Sequence, residues 1–359
     1  MLAFVLGTKA ELIKTAPLMK ELEKRNYEYL FIHTGHHDLR EMCEEFDVKM
    51  PDIILFQPPK TTSRFFLKTR KALSWGFSLG YKLLKTLKNI KNLELVLTHG
   101  DTITTGTTAV ISSLGRWKVG HLEAGLRSYD WSEPFPEEFI RQVTDRFSHY
   151  LFAVSQKAVE NLKRENVKGS IFLTGNTIVD SVYLSLKKGK RSKRRNHVVI
   201  NVHRNENLQS KYRMKRIVEI IKLISLEIYW PIHDNTKYAL KKYGLWEELK
   251  SLPNIEFSPL LSYFDFLQEL KACRFILTDG GSIQEESLVL RKPCVILRRK
   301  TERVEGISTG INFLTKLNIE YSKKIIERLE GKFKIPKFEN PYGKPGVSKR
   351  IGEIIEGLV

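Results

Sequence analysis

The stretch that decides the fold reads LTHGDT (Leu97–Thr102), VGHLEAGLRS (Val119–Ser128) and EPFPEEFIR (Glu133–Arg141). Apolar strands are predicted over residues 93–97 and 118–121, and each is followed by a glycine-containing turn with a carboxylate. In an open parallel sheet, such strands deliver their last residues to one edge, and ligands bind outside the carboxyl ends of the strands. The sequence therefore predicts a ligand site at this edge.

Acidic side chains are the main candidates at that edge. They are Asp101, Glu123, Glu137 and Glu138, beside the basic residues His99, His121, Arg127 and Arg141. Two carboxylates from neighbouring strand ends, with a third on the following segment, are typical of a cluster that takes and gives protons. We therefore predict acid–base chemistry in the first half of the chain.

Apolar runs alternate with amphipathic stretches along the whole chain. In the first half, strands are predicted over 1–6, 29–33, 93–97, 118–121, 151–154 and 171–173, and helices over 12–24, 39–46, 105–114, 137–146 and 156–166. In the second half, strands are predicted over 197–201, 227–232, 255–257, 275–278 and 294–297, and helices over 211–224, 263–272, 283–288 and 348–358. This βαβα alternation predicts doubly wound parallel sheets.

The pattern breaks at Gly175-Asn176 and starts again after a basic run, Lys187–Arg195, which is typical of a linker or loop. We therefore predict an α/β protein with two Rossmann-like doubly wound domains facing a cleft. Residues 1–175 form the first domain, which carries the carboxylates, and residues 176–345 form the second. The C-terminal segment, residues 346–359, is expected to pack back on the first domain.

Composition restricts the class of protein. The 359 residues carry a net charge of +19 and three widely separated cysteines, without metal-ligand spacing or a disulfide framework. No apolar run has the length of a membrane span, and the first residues lack the features of a signal peptide, so a cytoplasmic protein without membrane insertion is predicted. The charge favours a lysine-rich surface over nucleic-acid binding, because no nucleic-acid recognition motif accompanies it.

An aromatic segment over residues 58–81 has two interpretations. It contains Phe65, Phe66, Trp75, Phe77 and Tyr81. A partly buried helical insertion and a contact between subunits both fit this composition, and both stay open at this point.

A sharp binding signal lies in the second half, in TDGGSIQEE (Thr278–Glu286). It follows an apolar strand and precedes a helix, and Gly280 and Gly281 would let a ligand approach the backbone closely. Glu286 lies one turn into the helix, where a carboxylate can accept hydrogen bonds from a ribose diol. An ordinary strand–turn–helix corner is the alternative; for the whole string, phosphate and ribose binding is favoured.

Other residues follow predicted strands at the same edges. Lys9 and Lys14 accompany the turn after the first strand, where helix N–H groups favour phosphate. His203 and His233 each end a strand of the second half and could hold a pyrophosphate. The first turn lacks the GxGxxG fingerprint, which argues against a nicotinamide dinucleotide there. The sequence also lacks HExxH, calcium-loop and GxSxG motifs, so neither a metal nor a hydrolase triad is predicted.

Taken together and in order, these strings resemble the non-hydrolysing UDP-N-acetylglucosamine 2-epimerase family. The matching strings are GTKAELIK, HTGHH, HGDT, HLEAGLRS, PFPEEFIR, TGNTIVD, HRNEN, PIHDN, TDGGSIQEE, KTERVEG and NPYG. The resemblance covers nearly the whole chain and implies the two-domain GT-B fold, a UDP-sugar substrate, no nicotinamide, no other cofactor, no metal and a homodimer.

The resemblance also implies roles for individual residues. Catalytic positions are Asp101, Glu123, Glu137, His203, Lys14 and Arg141, the last three as supporting cations. Gly281, Glu286 and Arg303 match nucleotide-binding positions of the family. Lys9, Gly280, Ser282 and His233, at the turns described above, complete the predicted substrate-binding residues. The implied reaction is reversible C2 epimerisation of UDP-N-acetylglucosamine to UDP-N-acetylmannosamine through a 2-acetamidoglucal, for polysaccharide biosynthesis.

Three alternatives accompany this expectation. Within the family, a 2,3-diacetamido uronic acid could be the sugar, or the enzyme could hydrolyse the substrate and release free sugar. A glycosyltransferase with the same two-domain plan would need an acceptor but no C2 proton chemistry, which leaves the carboxylates without a role. A nucleic-acid-binding protein is suggested by charge alone.

Overall fold

The structure, a computed structural model, describes residues 1–57, 69–131 and 135–358. The chain divides into two compact units: unit 1 is Met1–Ser181 with Pro341–Val359, and unit 2 is Val182–Asn340. The first division falls inside a helix, beyond the predicted boundary after residue 175, and the second falls at 340 and not at 345. Unit 2 is thus one continuous stretch, whereas unit 1 is made of two.

Unit 1 contains a seven-stranded parallel sheet. Its strands are β1 (Leu2–Leu6), β2 (Tyr29–His33), β3 (Ile53–Ile54), β4 (Leu95–His99), β5 (Lys118–Ala124), β6 (Tyr150–Ala153) and β7 (Ser170–Leu173). The strand order is β3-β2-β1-β4-β5-β6-β7. Every residue of β1 and β4 is buried, as expected for central strands that helices cover on both faces.

The helices of unit 1 connect these strands. They are α1 (Lys9–Lys24), α2 (Arg40–Phe46), α3 (Thr69–Lys88), α4 (Ile103–Leu114), α5 (Glu137–Phe147), α6 (Gln156–Arg164), α7 (Ile178–Lys188), which continues into unit 2, and α16 (Val347–Glu356). Helix α1 begins with a capping box, in which Thr8 and Glu11 satisfy each other's backbone N–H groups. Helix α4 begins with a similar reciprocal pair, Thr102 and Thr105.

Unit 2 contains a six-stranded parallel sheet. Its strands are β8 (Val198–Asn201), β9 (Ile228–Pro231), β10 (Ile255–Ser258), β11 (Phe275–Thr278), β12 (Cys294–Ile296) and β13 (Asn312–Leu314). Its helices are α8 (Asn205–Leu208), α9 (Lys211–Ile221), α10 (Asp234–Lys242), α11 (Trp246–Lys250), α12 (Tyr263–Ala272), α13 (Gly281–Leu290), α14 (Val304–Ser308) and α15 (Ile319–Glu330). The strand order is β10-β9-β8-β11-β12-β13.

Both sheets reverse their strand order next to their first strand. In unit 1 the reversal lies between β1 and β4, and in unit 2 between β8 and β11. Ligands of such sheets bind outside the carboxyl ends of the strands at the reversal. The predicted α/β class with two doubly wound parallel sheets is therefore confirmed, and the candidate residues follow these strands.

Two local predictions were wrong. Strand β5 does not end at His121 but continues to Ala124, so Glu123 lies within the strand and not in the loop after it. Helix α7 occupies much of the segment between Gly175 and the basic run, because Ile178, Val179 and Val182 are apolar and buried. The rest of the basic run is therefore a loop within unit 2 and not a linker between the units, and Lys187 and Lys188 end a helix.

The C-terminal helix α16 belongs to unit 1 and packs against α1. The guanidinium of Arg25 donates to Glu356 at 2.6 Å, and a Cβ added at Gly352 would lie 3.3 Å from Nε of Arg25. Glycine at this position therefore allows the two helices to approach closely.

Only part of the aromatic segment is described, because residues 58–68, which include Phe65 and Phe66, lie outside the described ranges. Trp75 on α3 packs near His36 and Phe56, with ring centroids 5.6 and 6.1 Å away. Phe77 and Tyr81, on the same helix, are 80% and 72% exposed. Neither α3 nor any other helix in the described ranges is long and apolar enough to cross a membrane.

Candidate functional site

Glu123 occupies a strained position at the end of β5. The pairing of β5 with β6 shifts register between Leu122 and Ala124, and Glu123 has a positive φ of 71°. A left-handed backbone is uncommon for a residue with a side chain and often marks a functional position. The irregularity turns the carboxylate out of the regular strand alternation, toward the carboxyl edge of the sheet.

Cation and amide donors from other elements hold the Glu123 carboxylate. The ammonium of Lys14, on α1, forms an ion pair with Oε1, and Nδ2 of Asn176 donates to the same oxygen at 3.0 Å. Nδ1 of His99 lies 3.9 Å from Oε2. Burial lowers the pKa of His99 to about 3, although the charge of Glu123 opposes that shift. His99 is therefore neutral at pH 7.

Asp101 follows β4 and is paired with Arg141. Nη2 of Arg141 donates to Oδ2 of Asp101, while Nη1 donates to Glu138 at 3.0 Å. Glu138 is fully buried and also accepts from the backbone N–H of Ser128 at 2.9 Å. Glu138 thus fixes both the loop after β5 and the guanidinium of Arg141. The Asp101 side chain remains 29% exposed.

The ends of β4 and β5 lie close together. Gly100 has a positive φ of 78°, and a Cβ added there would lie 3.5 Å from Oε2 of Glu123. Its N–H donates to the carbonyl of Leu122 at 3.1 Å. The structure therefore brings Asp101 and Glu123 to the same edge, as the sequence predicts.

Glu137 begins α5, after a cis Phe135–Pro136 peptide bond. It lies four residues before Arg141, so both residues lie on one face of the helix. Asp101, Glu123, Glu137, Lys14 and Arg141 are called the carboxylate site below.

Sequence reasoning missed Glu11 and Asn176. Asn176 donates to Glu123, as described above. Oε2 of Glu11 accepts from the N–H groups of Gly7 and Thr8 at 2.6 and 3.0 Å, and Oε1 accepts from the hydroxyl of Thr102 at 2.6 Å. The Thr-x-x-Glu spacing of a capping box was visible in the sequence and could have identified Glu11.

Two basic residues near the acids have another role. Nδ1 of His121 lies 2.6 Å from Oδ1 of Asp145, and Nη2 of Arg127 donates to Oδ2 of Asp145 at 2.6 Å. Arg127 also pairs with Glu165. His121, Arg127 and Asp145 are fully buried, so this network supports the fold beneath the carboxylate site. Lys9, in contrast, is exposed at the start of α1 and pairs with Glu41 at 3.2 Å.

In unit 2, Asp279 fixes the loop that carries His203. Its carboxylate accepts from the backbone N–H groups of His203 and Arg204 at 2.9 and 3.0 Å, and from Nδ2 of Asn207 at 2.9 Å. Nδ1 of His203 is also 2.8 Å from the side-chain oxygen of Asn201. The ends of β8 and β11 are thereby tied together.

The imidazole rings of His203 and His233 lie side by side, with their centroids 4.9 Å apart. Loss of solvation lowers the pKa of His203 to about 4, and the charge of Arg204 adds to this shift. Burial and the neighbouring His203 lower the pKa of His233 to about 4. These shifts favour neutral imidazoles in the free protein at pH 7, while the His203 side chain itself is 41% exposed. The role of supporting cation that the family resemblance implies for His203 stays a prediction.

Gly281 begins α13 beneath the guanidinium of Arg303. A Cβ at Gly281 would lie 2.7 Å from Nη1 and 3.0 Å from Cζ of Arg303. Nε of Arg303 lies 2.9 Å from Oε1 of Glu285, and Nη1 forms a second ion pair, with Glu302. The guanidinium is buried and held at the helix N-terminus, where backbone N–H groups and its own charge favour an anion.

Glu286 lies further along α13 and is 2% exposed. The hydroxyl of Tyr263 donates to its Oε1 at 3.0 Å. Ser282 is in the first turn of α13, and Gly280 directly precedes the helix. A Cβ added at Gly280 would lie 3.2 Å from Cε1 of His203. Seven residues of unit 2 are predicted to bind the nucleotide and are called the nucleotide site below: Gly280, Gly281, Ser282, Glu286, Arg303, His203 and His233.

The structure thus groups the candidate residues into one set in each unit. Within the described ranges, His, Cys, Asp and Glu side chains do not converge in groups of three that could hold a metal ion. The carboxylate site offers acids beside cations and can move protons. The nucleotide site offers a helix N-terminus, an arginine and a buried carboxylate, which suit phosphate and hydroxyl groups.

Comparison with known proteins gives concordant matches. The family model for UDP-N-acetylglucosamine 2-epimerase matches residues 20–356. A protein of that name from Methanocaldococcus jannaschii is 35% identical over 374 residues, covering 99% of this chain and 98% of the relative. Another, from Bacillus subtilis, is 32% identical and covers 97% of this chain and 93% of the relative.

Comparison with solved structures leads to the same family. The structure of the Methanocaldococcus jannaschii UDP-GlcNAc 2-epimerase in complex with UDP-GlcNAc and UDP has a TM-score of 0.88, 33% identity and 99% coverage of both chains. The Neisseria meningitidis UDP-GlcNAc 2-epimerase bound to UDP-GlcNAc has a TM-score of 0.85 and 28% identity, with 99% coverage of both chains. Since the family model and relatives above 30% identity span nearly all of the sequence, this chain belongs to the UDP-N-acetylglucosamine 2-epimerase family.

Proposed function

We propose that this protein catalyses the reversible C2 epimerisation of UDP-N-acetylglucosamine to UDP-N-acetylmannosamine. In the forward direction a base removes the C2 proton while the C1–oxygen bond breaks. The bonding electrons leave with UDP, and a C1=C2 double bond forms in a 2-acetamidoglucal. UDP then adds back to C1, and a proton is delivered to the opposite face of C2.

The observation that carries this proposal is the placement of Asp101 and Glu123 at adjacent strand ends, each beside its own cation. Two faces of one carbon require at least two proton-handling groups. Lys14 and Arg141 stabilise the ionised carboxylates, and Glu137 supplies a further acid on the helix that carries Arg141. A strained, buried Glu123 fits a role as a proton acceptor or donor.

The nucleotide site is proposed to hold the UDP group. The diphosphate would be bound by the N-terminus of α13, at Gly281 and Ser282, and by the guanidinium of Arg303. Glu286 would accept hydrogen bonds from ribose hydroxyls, in a position set by Tyr263. The neutral rings of His203 and His233 could donate hydrogen bonds to the leaving diphosphate oxygen, and Lys9 would add positive charge in unit 1.

Proton exchange tests the reaction directly. The protein is incubated with UDP-N-acetylglucosamine in deuterated buffer, and proton NMR follows the C2 position. We expect deuterium at C2 of both epimers, and Asp101→Asn as a matched control that removes only the negative charge should show none. Retention of the C2 proton in the wild-type protein, with every UDP-sugar tried, would refute the epimerase proposal.

The same assay separates the alternatives. A 2,3-diacetamido uronic acid substrate would exchange its C2 proton while UDP-N-acetylglucosamine would not. Free UDP that accumulates with reducing sugar would indicate the hydrolysing reaction. The absence of exchange, combined with UDP release that depends on an added acceptor sugar, would indicate a glycosyltransferase.

A homodimer is proposed as the assembly. The aromatic side chains of Phe77 and Tyr81 on α3 are mostly exposed, and Leu114 at the end of α4 is 70% exposed. Helices α3 and α4 pack against each other, so these exposed apolar side chains lie on neighbouring helices of unit 1, and we propose that they form the contact between subunits. Light scattering should give twice the monomer mass, and Phe77→Glu should give the monomer. A wild-type monomer would refute the dimer.

A further inference from the structure

The carboxylate of Glu11 connects two turns of unit 1. It is 3% exposed and lies at the start of α1. One oxygen accepts two backbone hydrogen bonds from the turn after β1, and the other accepts the hydroxyl of Thr102 from the turn after β4. Because these turns flank the strand-order reversal, Glu11 joins them where the sheet is expected to bind its ligand.

Thr102 lies next to Asp101 and transmits this connection. Its Oγ1 caps α4 and lies 3.1 Å from Oγ1 of Thr105. The hydroxyl of Thr105 donates to the carbonyl of His99 at 2.6 Å. The chain Glu11–Thr102–Thr105–His99 therefore contacts the Asp101 turn on both sides.

We propose that Glu11 is a positioning residue for Asp101, and that its ionised carboxylate holds the Asp101 turn in the reactive arrangement through Thr102. This inference rests on the proposed epimerase function. Glu11 acts through Thr102 and the backbone, and it takes no direct part in proton transfer to the substrate.

The direction of the hydrogen bonds depends on the charge of Glu11. The hydroxyl of Thr102 has a single hydrogen, which it donates to the ionised carboxylate. A protonated Glu11 would instead donate to Oγ1 of Thr102, and the Thr102 hydrogen would turn toward Thr105. Burial raises the pKa of Glu11 to about 7, with a contribution from Asp101, against the hydrogen bonds that lower it. Both arrangements are therefore populated near neutral pH.

Ionisable groups on every surrounding element can affect this equilibrium. They are Asp101 after β4, Glu123 on β5, Arg141 on α5, Lys9 and Lys14 on α1, and His33, His36 and His37 on or after β2. Burial lowers the pKa of each of these three histidines, so they are neutral at pH 7. Asp101 is also the residue that Glu11 positions, which couples their charges.

The test uses substitutions that fix one arrangement. In Glu11→Gln, the amide oxygen can accept from Gly7 and Thr8 while the NH2 group donates to Thr102, as protonated Glu11 would. We expect kcat at pH 8 to fall about 10- to 100-fold, the size of effect that a small misplacement of a reacting group produces, with KM nearly unchanged. The rise of wild-type kcat through pH 7 should disappear. Glu160→Gln, at an exposed glutamate of α6, is the matched control and should behave like the wild type.

Thr102 provides a second, independent variant. Thr102→Val removes the hydroxyl and should reproduce the loss seen in Glu11→Gln, whereas Thr102→Ser keeps the hydroxyl and should restore kcat and its pH profile. Wild-type kcat and pH dependence in Glu11→Gln, or in Thr102→Val where Glu11→Gln does not fold, would overturn the inference.

Hydrogen exchange gives a readout that does not depend on activity. After correction for the intrinsic effect of pH on exchange, residues 99–106 should exchange faster in the wild type at pH 6 than at pH 8. Glu11→Gln should exchange fast at both. A wild type without epimerase activity would refute the proposed function but leave this prediction testable; pH-independent exchange in an active wild type would refute the role of Glu11 alone.

Discussion

In unit 1, Glu123 and Asp101 are paired with Lys14 and Arg141, which other helices supply from distant parts of the sequence. In unit 2, Arg303 is paired with its sequence neighbour Glu302 and with Glu285. The carboxylate site is therefore assembled from distant parts of the chain, whereas five of the seven residues of the nucleotide site lie between residues 280 and 303. Substitutions should distinguish the two sites. Those at the carboxylate site should lower the rate of the reaction, and those at the nucleotide site should weaken UDP binding.

The largest effect is expected at the carboxylate site. Asp101→Asn and Glu123→Gln keep the side-chain shape but remove the proton-handling charge. We expect kcat to fall by about 10²- to 10⁴-fold, the usual contribution of one general acid or base. UDP affinity, measured by calorimetry, should change little, because neither substitution alters a residue that is proposed to bind the nucleotide. If these variants lost UDP affinity by the same factor as kcat, the predicted difference between the carboxylate site and the nucleotide site would be wrong.

The next effect is expected from Gly281→Ala. The new Cβ would displace the Arg303 guanidinium, which is buried between Glu285 and Glu302 and cannot move without weakening those pairs. Overpacking of this kind costs about 1–3 kcal/mol. UDP affinity and the melting temperature should both fall. Gly76→Ala, in the interior of α3 with the nearest atom 3.7 Å away, is the matched control. Its UDP affinity should be unchanged, and its melting temperature should not fall, because alanine favours the helix more than glycine does.

A comparable effect on UDP binding is expected from Glu286→Ala. Loss of a charged hydrogen-bond acceptor should weaken UDP binding by about 1.5–3 kcal/mol, with kcat at saturating substrate largely kept. Tyr263→Phe leaves the carboxylate but removes its supporting hydroxyl, and we expect a loss of about 1 kcal/mol. A fall in kcat without a change in UDP affinity would assign Glu286 to the chemistry.

The smallest effect concerns the pH dependence of stability, which has opposite signs for His233 and Glu11. The folded pKa of His233 is lowered from 6.5 to about 4, so the unfolded chain binds more protons between these values and stability falls as the pH decreases through that window. The folded pKa of Glu11 is raised from 4.5 to about 7, so its contribution decreases as the pH rises toward 7.

Melting temperatures recorded from pH 4 to pH 8 test this prediction. In His233→Asn, the loss of stability below pH 6.5 should be smaller than in the wild type by about 1 kcal/mol. This is less than the whole pKa shift of His233 implies, because the ring is partly exposed. Glu11→Gln should flatten the loss at higher pH. Slopes that remain unchanged in both variants would contradict these assignments.

Much of the architecture could be predicted from periodicity, because buried parallel strands read as short apolar runs. Tyr29–His33, Tyr263–Ala272 and Phe275–Thr278 have the predicted bounds. The extension of β5 to Ala124 was not predictable, since Glu-Ala-Gly reads as a turn and the bulge depends on pairing with β6. The short strands β3 and β13 were not predicted.

The positions of the candidate residues at strand ends could also be predicted, but their partners could not. The pairs Lys14–Glu123 and Arg141–Asp101 join residues far apart in sequence, and which cation meets which acid depends on the packing of α1 and α5. His121 and Arg127 were grouped with the acids because they lie near them in sequence, yet they contact Asp145 beneath the site. The catalytic and binding roles themselves stay predictions.

The packing of α16 against α1 has a consequence for synthesis on the ribosome. Unit 2 is one uninterrupted stretch, so all of its strands and helices have been made before the last segment of unit 1 appears. Domains generally fold as units during translation. Glu356, which accepts a hydrogen bond from Arg25 of α1, is made after the whole of unit 2. Unit 2 can therefore fold first, while the nascent unit 1 keeps one side of α1 uncovered until α16 emerges.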